Sequence, residues 1–216
     1  MKAEYGPTLL QLVAPRRLAV RVAAGVAAAA IVFAAVAIAI ASRPDETEVL
    51  IRKPITLNFI YGQQFHRVQR AGTMIALRHE SPNGLFLDAY ALRPLTLPPY
   101  RGAVGGMLPI YANRYVHTLA RRYPGYEFIG EGRARINNAV GYAVTFRASI
   151  GRRRLYARHY LLVEEEPAGN RRGVVIELES TPAAGTPNAV AIGSAGALKA
   201  PLRSFRFGED REGGTA

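Results

Sequence analysis

His79 and Asp88 are the residues whose types and spacing come nearest to an acid/base pair. They flank Ser81-Pro82-Asn83-Gly84, and Asn-Gly between two β-rich runs is the strongest short-range hairpin signal. Folding residues 74–80 onto 85–92 around that turn sets imidazole and carboxylate opposite or diagonal on one face, with Tyr90 further along. In such a pair the carboxylate orients the imidazole as a general base. The nucleophile is missing, because no Ser or Thr is tied to the pair by spacing and no G-x-S-x-G elbow occurs. A structural hydrogen bond is therefore expected, with a hydrolase using His79 and Asp88 as the alternative and no catalytic residue assigned.

Other chemistry fares no better. His66, His79, His117 and His159 are scattered, and Glu80 follows His79 without an H-E-x-x-H pattern, so no metal site is expected. Glu164-Glu165-Glu166 lacks the alternating oxygen ligands and glycine of a calcium loop and reads as a solvated hairpin end. Gly102, Gly105 and Gly106 do not follow the order of a phosphate loop, and no cofactor is implied. Cysteine is absent, which removes disulfides, thiolate chemistry and a lipid-modified cysteine.

Charge points to partners rather than to reactions. Lys and Arg number 28 against 16 Asp and Glu, a formal charge of +12. Arg152, Arg153, Arg154, Arg171 and Arg172 are candidate anion-binding residues for phosphates of lipid or wall polymer, with Arg121-Arg122 nearby in type. The same arginines are what solubility asks of turns. No aromatic-interleaved basic motif suggests nucleic acid, and an envelope protein partner is the other expectation.

The elements that must carry these residues begin with an apolar run at 22–41, opening on Val22 and closing on Ala41, with no charged, amide or hydroxyl side chain. At roughly 1.5 Å per residue it reaches about 30 Å, the thickness of a bilayer's hydrocarbon core. Arg16, Arg17 and Arg21 crowd its start while Asp45, Glu46 and Glu48 follow it, so the N-terminus is expected in the cytoplasm and the rest outside. Ala39-Ile40-Ala41 also fits a signal-peptide cleavage pattern, although the run exceeds a typical h-region of about 7 to 15 residues. The expected organisation is a cytoplasmic tail at 1–17, a single-pass signal-anchor helix at 18–42, a linker at 43–54, one extracytoplasmic domain at 55–207 and a disordered tail at 208–216.

Within the domain the fold class is α+β: an antiparallel sheet packed by one long and one short helix. Ile55, Leu57, Phe59 and Tyr61 alternate as a first strand, and the prolines of 93–99 end the hairpin's second strand. A helix at 108–122 presents Leu108, Tyr111, Ala112, Tyr115, Val116, Leu119 and Tyr123 as one stripe, with Pro109 in its first turn. Residues 126–136, 141–148, 153–164 and 174–180 follow as strands. Tyr142, Val144 and Phe146 share a face with Leu155, Ala157 and His159, continued by Val174, Ile176 and Leu178. Arg158 would then pair with Glu179 on the other face. Thr186-Pro187 opens a short helix, and 202–207 is the closing strand.

This order of elements, with the closing Leu202-Arg203-Ser204-Phe205-Arg206-Phe207 and its Ser204-Phe205 pair, resembles the PsbP-like α/β/α family over 55–207. That family includes extrinsic photosystem subunits, a nuclear-transport factor and bacterial envelope proteins. The resemblance implies binding or assembly and no shared catalytic set. The chain departs from it in lacking the lipidated cysteine that bacterial relatives often carry.

Overall fold

The computed structural model describes residues 46–99, 101, 102, 104–137, 139–164 and 171–209. The expected tail at 1–17 and membrane helix at 18–42 lie outside the described residues, as do Glu165, Glu166 and residues 210–216. Among the described residues no helix is long and apolar enough to cross a membrane.

Seven antiparallel strands form the main sheet: β3 (Phe65–Arg67), β4 (Ile75–Glu80), β5 (Phe86–Thr96), β6 (Glu127–Ile136), β7 (Ala139–Ile150), β8 (Arg153–Val163) and β9 (Arg172–Ser180), in the spatial order β3-β4-β5-β9-β8-β7-β6. A smaller sheet joins β1 (Glu46–Ile51), β2 (Leu57–Gly62) and β10 (Arg206–Phe207), with β2 in the middle. One face of the main sheet is covered by helix α1 (Val104–Arg122), whose Leu108, Ala112 and Leu119 are buried against Val144, Phe146, Leu161 and Val175. The opposite face packs Tyr90, Leu92, Ile176 and Leu178 with Leu57 and Phe59 of the small sheet and with Leu202 of α2 (Lys199–Ser204). β8 and β9 are therefore covered on both faces, which explains their apolar runs.

The hairpin turns where expected, with Gly84 at φ 74° and the Gly84 amide donating to the Ser81 carbonyl at 2.9 Å. The inward stripe of α1 is also as read, with Tyr111, Tyr115 and Val116 partly buried. Several boundaries differ for identifiable reasons. Residues 46–51, expected as linker, form β1, an edge strand that buries Val49 and leaves its acidic side chains in solvent. β5 runs on through Pro94 to Thr96, because β4 has already ended its pairing at Leu92 and the proline meets only β9. Helix α1 begins one turn before Leu108, at Val104, which moves Pro109 out of the first turn.

The expected strand at 202–207 is instead the end of α2 followed by the two residues of β10. Ser204 explains the switch: its hydroxyl donates to the Ala200 carbonyl at 2.7 Å within the helix and accepts the Ile60 amide at 2.9 Å, tying α2 to β2. In place of a helix opened by Thr186-Pro187 there are two 3₁₀ turns, Pro182–Ala184 and Ala189–Ala191, the second capped by the Asn188 side chain. Gly208 and Glu209, expected in the tail, are held by Thr56, Asn58 and Arg52.

Candidate functional site

The register of β9 decides what lies beneath α1. Val144 opposes His159 and Phe146 opposes Ala157, as the alternation predicts. Across the next ladder, however, His159 opposes Glu177 and Ala157 opposes Glu179. β9 is thus shifted by one residue from the expected pairing, which turns every one of its side chains to the other face. Val174, Ile176 and Leu178 join Tyr160 on the small-sheet side, and both glutamates point under α1. The expected Arg158–Glu179 pair does not form, since Arg158 opposes Leu178, donates to the Val190 carbonyl at 3.0 Å and stacks over Tyr160.

Glu177 is fully buried and is the hub of the cluster. Arg122, the last residue of α1, donates to both carboxylate oxygens at 2.7 and 2.9 Å. Arg70, from the loop between β3 and β4, approaches at 3.3 Å and also donates to Glu179 at 3.3 Å. Arg93 of β5 lies at 3.1 Å as a charge contact outside hydrogen-bond geometry, while donating to the Ala71 carbonyl at 3.0 Å. The Tyr123 hydroxyl donates to Glu179 at 2.6 Å, and the Tyr115 hydroxyl is 2.8 Å from His159 Nδ1. His159 is enclosed by Tyr115, Tyr123 and Phe146, and its Nε2 is buried without a partner.

The electrostatics follow from this packing. Burial dominates at His159 and pushes its pKa down to about 4 despite the two nearby carboxylates, so the ring is neutral at pH 7. Burial would raise Glu177, yet His159, Arg122 and Arg70 together hold its carboxyl below the usual range. Burial, then the neighbouring carboxylates, drive Tyr123 far upward, so it keeps its proton and acts as a donor.

One ligand atom from each of His159, Glu177 and Glu179 lies within 4.8 Å of the other two. The donor set nevertheless does not suit a cation. Three guanidinium groups already face the two carboxylates, leaving one net positive charge that a divalent ion would raise to three, and it would displace the hydrogen bonds of Arg122 and Tyr123. The cluster instead joins α1, β5, β9 and the 68–74 loop. Sequence reading missed it, although two acidic residues alternating through a strand covered on both faces demand buried cationic partners.

The second cluster lies on the opposite face. His79 opposes Asp88 across the hairpin, and Nδ1 is 2.9 Å from Oδ2, as the Asn-Gly turn predicts. Ser180 opposes Asp88 across the β5–β9 ladder, and its hydroxyl donates to Oδ1 at 2.6 Å. Ser180 Oγ is also 2.7 Å from Thr186 Oγ1. A serine hydroxyl, a carboxylate and an imidazole therefore meet, but the carboxylate is in the middle. Ser-His-Asp chemistry needs the imidazole between the other two, to take the hydroxyl proton. Here the hydroxyl is fully buried and given to the carboxylate.

The remaining candidates are dispersed. His66 on β3 and His117 on α1 are exposed and apart from both clusters. Arg152, Arg153 and Arg154 lie at the β7–β8 turn, whereas Arg171 and Arg172 lie at the start of β9, opposite the far end of β8. The ten steps from Arg153 to Val163 correspond to roughly 33 Å at about 3.3 Å per residue. The five arginines thus do not form one patch, because successive turns of a meander fall at opposite ends of its sheet.

No protein-family model matches the chain, and no curated protein matches it. Solved structures do. The cyanobacterial PsbP protein (CyanoP) of Synechocystis sp. PCC 6803 superposes with a TM-score of 0.52 at 12% identity, over 76% of this chain and 92% of that one. LpqN of Mycobacterium tuberculosis, described as involved in cell envelope biogenesis, gives a TM-score of 0.48 at 10% identity, over 78% of this chain and 93% of that one. The long helix on one face of the antiparallel sheet, the short helix on the other and the superposition on CyanoP agree with the resemblance carried by the order of the elements: this domain has a PsbP-like fold.

Proposed function

We propose that the chain is a single-pass, membrane-anchored module whose domain lies outside the cytoplasm, in a bacterial cell envelope, and works by binding or assembly rather than by catalysis. The observation that carries the non-catalytic reading is the order of the bonds at Asp88. With the Ser180 hydroxyl donated to the carboxylate, His79 has no nucleophile to activate, and the hydrolase alternative loses its third member. The helix-side cluster supports the same reading, since both of its carboxylates are engaged by arginines and Tyr123. The anchor rests on the apolar run 22–41 and on the arginines ahead of it. Its partners are the bilayer through that run, and an anionic lipid, a wall polymer or an envelope protein through the domain.

Protease shaving of intact cells tests this. Added protease is expected to degrade the domain while an N-terminal fragment stays in the membrane. A domain spared until lysis overturns the orientation, and a domain released into the medium beginning at Ser42 overturns the anchor.

A further inference from the structure

The main sheet ends on one side in β3, three residues long, and on the other in β6, ten residues long. Among the described residues, no strand pairs with the outer side of β6. The direction of its free backbone groups follows from the hairpin it forms with β7. Ile136 opposes Ala139 across a two-residue turn, with Asn137 at φ 52°, so that pair exchanges both backbone hydrogen bonds and the pairs before it alternate. Ala134 and Gly132 therefore bond to β7, while the amides and carbonyls of Glu131, Arg133 and Arg135 point outward. The side chains of these three are exposed and stand on the helix-covered face, opposite Val144, Tyr142 and Val140. Among the described residues none of the three has an ion-pair partner, and Glu131 has only the Tyr142 hydroxyl at 3.5 Å.

An edge kept away from its own copy is normally very short or guarded by charge of one sign. β6 is long and carries both signs in sequence. Two such strands lying antiparallel about a twofold axis at Gly132 set Glu131 against Arg133 twice, and in each of these pairs the free backbone groups face one another. Moving the axis to Glu131 or to Arg133 sets like charges directly opposite, and moving it to Ala134 sets Arg133 against Arg135. An axis between residues faces outward groups with groups already bonded to β7. One register alone therefore satisfies both backbone and charge.

Glycine supports the same axis. Neither Gly130 nor Gly132 has a positive φ, and a Cβ on either would meet nothing within 4 Å, so no described neighbour requires them. Glycine inside a strand weakens it and marks the close approach of another backbone. At the axis Gly132 would meet its counterpart in a pair without hydrogen bonds, the closer kind, with Cα atoms about 4.5 Å apart. Beside the β-bulge before Gly130, Phe128 and Ile129 are 46% and 40% exposed, where the end of the second strand arrives.

We propose that β6 is a self-association edge that joins two copies of this chain into one antiparallel sheet, through Glu131–Arg133 pairs about Gly132. This goes beyond the binding reading above and does not depend on where the domain lies. The chain has no cysteine, so a single introduced one reports the contact. The full chain carrying G132C, in dodecyl maltoside, is expected to oxidise to a disulfide-linked dimer, since Cα atoms about 4.5 Å apart suit the bond. G130C would stand four residues, about 13 Å, from its counterpart and should yield roughly tenfold less dimer. Adding E131R or R133E to G132C sets like charges opposite and should lower the yield by a similar factor. The double reversal E131R/R133E, or a mixture of the two single reversals, should restore it with unchanged thermal melting. Because the double reversal keeps the net charge and composition of β6, recovery identifies the register and not a general charge effect. Equal yields from G132C and G130C, a yield indifferent to the single reversals, or no recovery in the double reversal overturns the edge. Protease shaving reads location only, so a failure here is distinct from a failure there.

Discussion

The two buried polar clusters sit on opposite faces of the same sheet and differ in what they join. The Glu177 cluster gathers cations from a loop, a strand and a helix that are far apart in the chain. The Asp88 cluster links a hairpin to its neighbouring strand, and its histidine keeps 21% of its side chain exposed. The difference teaches where stability is concentrated. A fully buried carboxylate held by three guanidinium groups cannot lose its charge or its partners without leaving the others unpaired, whereas a hydrogen bond at the sheet margin can be remade to water.

The largest expected effect breaks the first cluster. E177Q removes the charge that three arginines share and should cost about 3 to 5 kcal/mol, read as a lower midpoint in urea unfolding. A loss below about 1 kcal/mol would place the two clusters on equal footing.

Acid sharpens the contrast next. His159 is neutral in the fold, with its pKa pushed down to about 4, while in the unfolded chain it takes up a proton near 6.5. Stability from this group is therefore complete above pH 6.5 and is lost as pH falls toward 4, by about 3 kcal/mol at roughly 1.4 kcal/mol per pH unit. Glu177, held low, adds a further loss below the ordinary carboxylate range. H159Q, which does not titrate, should flatten the melting temperature between pH 6.5 and 4. An unchanged slope would remove His159 from the explanation.

A smaller effect is expected on the other face. S180A leaves Asp88 Oδ1 without its donor and should cost about 1 to 3 kcal/mol. Loss greater than that of E177Q would reverse the ranking.

The two clusters also differ in how far the sequence discloses them. Asn83-Gly84 fixes the point from which residues are counted, so the meeting of His79 with Asp88 follows from spacing alone. Ser180 does not, because the β5–β9 ladder joins residues nearly a hundred positions apart. The inward stripe of α1 and the burial of His159 are likewise legible from alternation. Between Val163 and Arg172 the connection is too long for Gly169-Asn170 to set the register as a two-residue turn does, so alternation leaves a one-residue slip unconstrained, and that slip carries Glu177 and Glu179 to the other face. Arg70 enters from a loop, and Arg93 sits beside a proline that sequence reading takes as the end of the strand. α2 and β10 are hidden for another reason: Ser204 bonds to both α2 and β2, and only the latter tertiary partner settles where helix gives way to strand.

The most direct test of the contrast is a pair of double-mutant cycles at pH 7, one between Arg122 and Glu177 and one between His79 and Asp88, each read by urea unfolding of the full chain in neutral detergent. A cycle isolates the coupling within each pair from the cost of either substitution alone. The buried bidentate pair should show a coupling of about 1.5 to 3 kcal/mol and the hairpin pair, whose histidine is partly exposed, about 1 kcal/mol or less. Equal couplings, or a stronger one at His79 and Asp88, would contradict the assignment of the Glu177 cluster as the principal fastening of helix to sheet.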